Sequence, residues 1–515
     1  MTLRKKPVAL IVLDGWGDRE EKEHNAIAEA KTPFFDMLMK EYPHTLLNAS
    51  EEHVGLPVGQ IGNSEIGHMS IGTGRVIDTD LVKIDKAAEA GEFKSNSAFS
   101  ALFKHIHQNN STLHVLGLVS PGGIHSHQNH LYNFLKAAKE AKIQQIAIHA
   151  FTDGRDVPPK SAAQYLKELE NIISEVGIGF IATVAGRFYA MDRDKNWDRL
   201  EKVEKAIFEC EGEVCKVKPS QALEELYKNG KIDELLEPLV FVDDVSGQGM
   251  PIKANDGLFF FNFRPDRSRQ LSKKILDKKQ SHNLFFVTMT EYDKSFEAEV
   301  AFPNKDIDNS LAQILSENGL TQSHIAETEK YAHVTYFFNG GRQEPHENEH
   351  HFIIESRKDI KTHDEAPEMR AKEIADKTLE RLGAGDDFLV VNFANADMVG
   401  HSANKPAIIR AVETVDRELK RVVEKILTMD GVTIITADHG NAEMNRDPHT
   451  GENHTAHTLN LVPFILVSEP TSYNLQPITS PGRLSDIAPT ILELMHLPQP
   501  KAMTGKSLLH LTLMP

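Results

Sequence analysis

Three stretches of this chain are apolar at nearly every position: VALIVLDGWG, DFLVVNFANADMVGH and VTIITADHGNAEM. A strand with one face in water alternates apolar and polar residues, whereas a strand covered on both faces of a parallel sheet does not. The pattern therefore predicts buried parallel strands. Each run leads into an acid, Asp14, Asp397 or Asp438, and the last two have His401 and His439 close by. In open α/β sheets, ligand-binding groups collect at the carboxyl ends of strands. Acids and imidazoles placed there point to a centre holding more than one metal ion.

Between these runs, strand-like and helical stretches alternate, which predicts α/β architecture. Further strands are expected at 113–120, 145–154, 178–186, 257–267 and 285–293, with helices over 160–176 and 197–209. Residues 361–382 read as a loop into an amphipathic helix that Asp364 or Thr362 would cap. The metal-type ligands lie toward both chain ends, while the middle supplies arginines at strand ends. The layout expected is a discontinuous metal-binding domain from 1–76 and 310–515, with a second α/β domain inserted over 77–309.

At 515 residues the chain exceeds a single hydrophobic core, in keeping with that division. Hydrophobic and charged contents of 40% and 26% fit an ordinary globular enzyme. The net charge of −18 argues against a nucleic-acid partner and means that an anionic substrate needs a local basic pocket. Cys210 and Cys215 read as free thiols of a reducing cytosol. The basic start followed by VALIVL imitates a signal peptide, but the run meets Asp14 and no small-residue cleavage site follows. No segment approaches the ~20 apolar residues of a membrane span. The expectation is a cytoplasmic protein with no membrane partner.

Asp397 and His401 are spaced i, i+4, so one helical turn puts both on one face. A third ligand is offered by His454 or His457, the latter just before the apolar stretch LVPFILVS. Asp438 and His439 are adjacent and tend to point in different directions, which suits two metals about 4 Å apart. In the Gly-rich segment GLPVGQIGNSEIGHMSIGTGR, Ser64 stands at a helix start, where dipole and free amides favour an anion. It reads either as a nucleophile or as a plain helix cap, and Ser70 is a competing nucleophile. The middle of the chain offers Arg155, Asp156, Arg187, Arg193, Arg264 and Arg267, with His125 and His127 in a Gly-rich turn and Lys330 further on. Guanidinium forks match carboxylate and phosphate, although each arginine alone also fits a surface salt bridge.

Taken in order, DGWG, GNSEIGH, FTDGRD, RPDR, ETEKYAHVT, NADMVGH, TADHGNAEM and HTAHT resemble the cofactor-independent (2,3-bisphosphoglycerate-independent) phosphoglycerate mutases of the alkaline-phosphatase superfamily. The resemblance spans essentially the whole chain. It implies an alkaline-phosphatase-like domain with an inserted transferase domain, in a monomer that interconverts 3-phosphoglycerate and 2-phosphoglycerate in glycolysis and gluconeogenesis. It also implies two Mn²⁺ ions per chain, with Zn²⁺, Co²⁺ or Mg²⁺ as alternatives. Asp397, His401 and His457 would hold one ion, and Asp14, Ser64, Asp438 and His439 the other. Ser64 would become phosphoserine. His125, Arg155, Asp156, Arg187, Arg193, Arg264, Arg267 and Lys330 would line the substrate site. The competing expectations are a metal-dependent phosphomonoesterase or a phosphopentomutase of the same superfamily, and a catalytically inert scaffold.

Overall fold

A computed structural model describes residues 6–242, 247–303, 307–469, 474–475 and 481–510. The chain divides into two compact units, Met1–Thr79 with Asp306–Pro515, and Asp80–Lys305. Both are α/β.

The first unit is built on an eight-stranded sheet in the order Glu349–Ile354, Gln322–Glu327, Phe388–Phe393, Val8–Leu13, Val432–Thr436, Val462–Val467, His44–Asn48 and Gly482–Arg483. The first five run parallel. Val8–Leu13 is buried at every position, as its unbroken apolar run predicts. It pairs residue for residue with Phe388–Phe393, from Val8 opposite Phe388 to Leu13 opposite Phe393, and with Val432–Thr436 on its other side. This register brings the carboxyl ends of all three strands to one edge, and with them Asp14, Asp397 and Asp438. Val462–Val467 runs antiparallel to Val432–Thr436. Its amino end therefore returns to the same edge, which carries His457 there.

Helix Lys405–Leu427 covers this sheet's core through Ala407, Ile408, Ala411, Val412, Val415, Leu419, Val422, Val423 and Ile426, a stripe at helical spacing. Each fully buried aliphatic side chain in such a core contributes about 1.5–3 kcal/mol, so truncating Leu10 or Ile11, both inaccessible, costs about 2–5 kcal/mol.

The second unit has its own eight-stranded sheet: Glu299–Val300, Phe285–Thr288, Gly257–Phe260, Leu113–Leu118, Ile146–Thr152, Phe180–Gly186, Leu239–Phe241 and Glu213–Cys215. Only the Phe180–Gly186 and Leu239–Phe241 pair is antiparallel. Helices Ala162–Val176 and Trp197–Glu209 lie where the apolar spacing predicts them. The strand expected over 257–267 stops at Phe260, because the Asn262–Arg267 segment turns away around Pro265, which has no N–H to give a ladder. Arg264 and Arg267 thus stand past the strand end.

The helix expected within 361–382 begins at Ala371, and neither Asp364 nor Thr362 caps it. Pro367 disfavours helix in the residue before it. Thr362 instead precedes a single 3₁₀ turn, His363–Glu365, and Asp364 accepts a hydrogen bond from Asn404 at 2.9 Å.

Candidate active site

In the first unit the three strand-end acids close around one ammonium. Asp14, Asp397 and Asp438 are buried, and Lys330 Nζ lies 2.7 Å from Asp14 Oδ1 and 2.6 Å from Asp397 Oδ2. The same ammonium donates to Ser64 Oγ at 2.8 Å. Ser64 is the first residue of helix Ser64–Thr73. The capping position belongs to Asn63, whose side chain accepts from the Ile66 N–H at 3.1 Å. Ser64 is therefore free of the capping duty, and its hydroxyl faces His439 Nε2 at 2.9 Å and Asp14 Oδ1 at 3.4 Å. Ser70, on the same helix, is buried and its Oγ has no hydrogen-bond partner among the described residues.

Asp397 lies in the first turn of helix Asn395–Gly400 and His401 stands at its carboxyl end, one turn later. Asp397 Oδ1 lies 3.3 Å from His401 Nε2 and 3.2 Å from His457 Nε2. Each imidazole is engaged at its other nitrogen by a backbone carbonyl: His401 Nδ1 by Thr455 at 2.7 Å, His457 Nδ1 by Gly62 at 2.8 Å. A carbonyl accepts only, so it holds the proton on Nδ1 and turns Nε2 toward Asp397, whose carboxylate raises both imidazoles, at His457 against the effect of burial. That is the arrangement that orients histidines toward a metal. His439 stacks on His457 with ring centroids 3.7 Å apart.

Three sets of ligand atoms lie within 4.8 Å of one another here: Asp397 with His401 and His457; Asp14 with Asp397 and His439; and Asp14 with His68 and Asp438. Asp14 and Asp397 each belong to two sets, so the sets form one continuous cluster. His454 belongs to none of them. The donor chemistry fits divalent cations, since three buried acids gather around a single ammonium and imidazole Nε2 atoms face them.

The electrostatics agree. Burial and the neighbouring Asp438 push the Asp14 carboxyl up, although Lys330 pulls it down. Burial would also raise Asp397, but Lys330, His401 and His457 outweigh it and hold that carboxyl well below the usual range. Burial would strip the Lys330 ammonium of its proton, yet Asp14, Asp397 and Asp438 more than offset this and raise it.

The second unit carries a guanidinium cluster. Arg187, just past Phe180–Gly186, is buried and donates from one nitrogen to Asp153 Oδ1 and Asp156 Oδ2, each at 2.6 Å. Asp153 also accepts from the Ser120 hydroxyl at 2.8 Å. Burial alone would raise the Asp153 carboxyl, but the Asp156 N–H, Ser120 and Arg187 bring it below its ordinary range. Arg193 and Arg264 reach the two oxygens of Asp266, at 3.0 and 3.2 Å. Arg267 donates to the Met191 carbonyl at 3.2 Å. Burial lowers its affinity for the proton, and the nearby positive charges of Arg193, Arg187 and Arg155 lower it further. Arg155 is the most exposed of the set and reaches Glu234 at 3.5 Å. His125 is buried with Nδ1 3.7 Å from Asp266; burial and Arg187 push its pKa down to about 4, so it is neutral at pH 7. His127 serves locally, accepting from the Asn129 N–H at 3.3 Å at the start of helix Gln128–Glu140.

Each unit therefore gathers its own share of the sequence candidates: Asp14, Ser64, Lys330, Asp397, His401, Asp438, His439 and His457 in the first, His125, Asp156, Arg187, Arg193, Arg264 and Arg267 in the second, with Arg155 at the rim. Sequence reasoning passed over His68, Asn392, Asp153 and Asp266. His68 Nδ1 is 3.3 Å from Asp438, and Asn392 donates to Asp14 Oδ2 at 2.8 Å. His68 follows Ser64 by one helical turn, a signal that was present in GNSEIGH. Asn392 carried none, being a polar residue inside an otherwise apolar strand.

Among known proteins, the family model described as BPG-independent PGAM N-terminus matches residues 84–294, and that of type I phosphodiesterase / nucleotide pyrophosphatase matches residues 277–471. The 2,3-bisphosphoglycerate-independent phosphoglycerate mutase of Clostridium botulinum is 48% identical over 518 residues, covering 98% of this chain and 100% of the relative. Its counterpart in Francisella tularensis subsp. novicida is 45% identical over 512 residues, covering 98% and 99%. A Leishmania mexicana phosphoglycerate mutase, whose structures were solved at low cobalt concentration, is 28% identical, with a TM-score of 0.62 and coverage of 99% and 98%. With its α/β units, its metal-ready acids and these full-length likenesses, the chain belongs to the 2,3-bisphosphoglycerate-independent phosphoglycerate mutase family.

Proposed function

We propose that this chain interconverts 3-phosphoglycerate and 2-phosphoglycerate by way of a phosphoserine at Ser64, without 2,3-bisphosphoglycerate. The observation that carries this reading is the position of Ser64 Oγ: at a helix start, 2.8 Å from an ammonium and 2.9 Å from an imidazole inside a cluster of buried acids. Asp397, His401 and His457 would hold one Mn²⁺, and Asp14, Ser64, Asp438 and His439 a second, with Zn²⁺, Co²⁺ or Mg²⁺ as alternative occupants. Bound there, the ions supply Lewis acidity that lowers the pKa of the serine hydroxyl and offsets charge on the attacking and leaving oxygens.

Ser64 Oγ, its proton released to solvent, attacks phosphorus, and the bond from phosphorus to the glycerate oxygen breaks as the new one forms, that oxygen taking a proton from Asp156. Lys330, already donating to Ser64 Oγ, stabilises charge on the transferring group. Guanidinium groups of Arg155, Arg187, Arg193, Arg264 and Arg267, with neutral His125, retain the glycerate through its carboxylate and hydroxyls. Asp156 takes or returns the proton of the hydroxyl that reacts. The other glycerate hydroxyl then attacks phosphoserine and releases Ser64. Retention of glycerate is what separates a mutase from a phosphatase.

No helix among the described residues is long and apolar enough to cross a membrane. The proposal includes a monomer, as the resemblance implies, acting in the cytoplasm. The test is phosphorus NMR of the purified chain with 3-phosphoglycerate and Mn²⁺, with no 2,3-bisphosphoglycerate added. Conversion to 2-phosphoglycerate at a fixed final ratio, with little free phosphate, is expected. Free phosphate as the main product would mean that water is the acceptor, and a phosphomonoesterase would replace the mutase.

A further inference from the structure

Among the buried acids of the first unit, Glu443 plays no part in the chemistry above. It is completely inaccessible, and its carboxylate is filled by donors from separate loops. Oε2 accepts from the Gly17 N–H at 3.1 Å and the Asn441 N–H at 2.8 Å. Oε1 accepts from Asn460 Nδ2 at 2.9 Å and from the Thr458 hydroxyl. Gly17 follows Asp14 by three residues, Asn441 follows His439 by two, and Thr458 directly follows His457. One carboxylate therefore ties together the loop of Asp14, the loop of Asp438 and His439, and the loop of His457.

The tie extends to the remaining ligand segment. Asn441, whose N–H is held by Glu443, donates from Nδ2 to Asp397 Oδ1 at 3.0 Å. Space has been cleared for the carboxylate as well. A Cβ added at Gly17 would run into Glu443 Cδ, and one at Gly440 would run into Glu443 Oε1 and Thr458 Oγ1. Both glycines lie in the ligand loops themselves, in DGWG and DHGN. Arg19 adds a hydrogen bond to the Glu443 carbonyl at 3.3 Å.

We propose that Glu443 is a positioning residue of the metal centre: its carboxylate sets the mutual spacing of the loops that carry Asp14, Asp438, His439 and His457. A carboxylate is suited to this because it accepts several N–H and O–H donors at once while donating none. An amide in its place keeps one acceptor oxygen but turns an NH₂ group toward donors it cannot bond, so the loops must move apart. Groups behind metal ligands typically change metal affinity by about 10–100-fold when altered.

The inference rests on the metal-centre reading, and calorimetric titration of Mn²⁺ into the metal-stripped full-length chain tests the two separately. Wild type, Glu443→Gln and Thr458→Val are compared, with the melting midpoint of each metal-free form recorded alongside. Expected is Mn²⁺ binding by wild type, about tenfold or more weaker binding by Glu443→Gln, and a smaller weakening, beyond twofold, by Thr458→Val, which removes a single donor. If wild type takes up no Mn²⁺, the metal-centre reading fails. If wild type binds and folded Glu443→Gln binds within twofold of it, the positioning role is wrong, and a lowered midpoint with unchanged affinity would show a purely structural part. Should Glu443→Gln not fold, Thr458→Val decides: affinity within twofold of wild type overturns the proposal.

Discussion

The two units hold charge in opposite ways. In the first, Asp14 and Asp438 are inaccessible and the Asp397 side chain is 2% exposed, around a Lys330 that is 5% exposed. In the second, the Arg155, Arg193 and Arg264 side chains are 59%, 49% and 50% exposed, and their partners Glu234 and Asp266 are 27% and 29% exposed. Buried charges without a full set of counter-charges are costly, so a cation that completes them is favoured there. Half-exposed ion pairs contribute only about 0–1 kcal/mol, so a substrate carboxylate or phosphate can replace one partner at little loss. The first arrangement suits resident metal ions and the second a passing anion. Arg187 is the exception: at 4% exposed and clamped between Asp153 and Asp156, it is built like a member of the first unit's cluster.

The sharpest break of this contrast comes from the first unit. Ser64→Ala is expected to lower turnover by roughly 10⁴- to 10⁶-fold, followed by phosphorus NMR, because the nucleophile has no substitute. Stripping metal with a chelator should abolish activity, and Mn²⁺ should restore it; activity that survives complete metal removal would contradict the resident-ion side of the comparison.

Within the second unit, Arg187→Ala leaves two carboxylates facing each other without their guanidinium. It should cost about 3–5 kcal/mol in urea unfolding and also impair turnover. Arg155→Ala should cost no more than about 1 kcal/mol and act on KM rather than on stability. Equal stability losses in the two variants would erase the distinction drawn between them.

A further effect concerns pH. Burial raises the Glu327 carboxyl to about 7 from an ordinary 4.5, although Ser356 and the Arg370 N–H lower it in part. A carboxyl raised on folding adds stability that is present below the unfolded value and is lost as pH rises through the folded one. Between pH 4.5 and 7, wild type should therefore lose up to a few kcal/mol relative to Glu327→Gln in urea unfolding, at about 1.36 kcal/mol for each pH unit between the two values. Parallel stability profiles for the two proteins would refute the assignment.

What could be read from the residues follows from what each signal depends on. Unbroken apolar runs depend only on burial, so Val8–Leu13, Phe388–Phe393 and Val432–Thr436 were legible as covered strands, and their acids as neighbours. Sheet order was not legible: that Val462–Val467 runs antiparallel, and so delivers His457 to the shared edge, depends on contacts far apart in sequence. The helix start at Ala371 is masked in the sequence by an acid and a threonine upstream that imitate caps, whereas Pro367 keeps the residue before it out of helix. Asp153 and Asp266 escaped notice because an acid beside arginines looks like ordinary surface charge until the fold buries or pairs it.

The most direct test of the account is to mix the Mn²⁺-loaded chain with 3-phosphoglycerate, quench in acid within the first turnovers, and locate the phosphoryl group by peptide mass spectrometry. The account predicts a phosphoryl group on the peptide containing Ser64, assigned to that residue and absent from Ser64→Ala. Turnover with no phosphorylated peptide, or with the group on Ser70 or another residue, would contradict it.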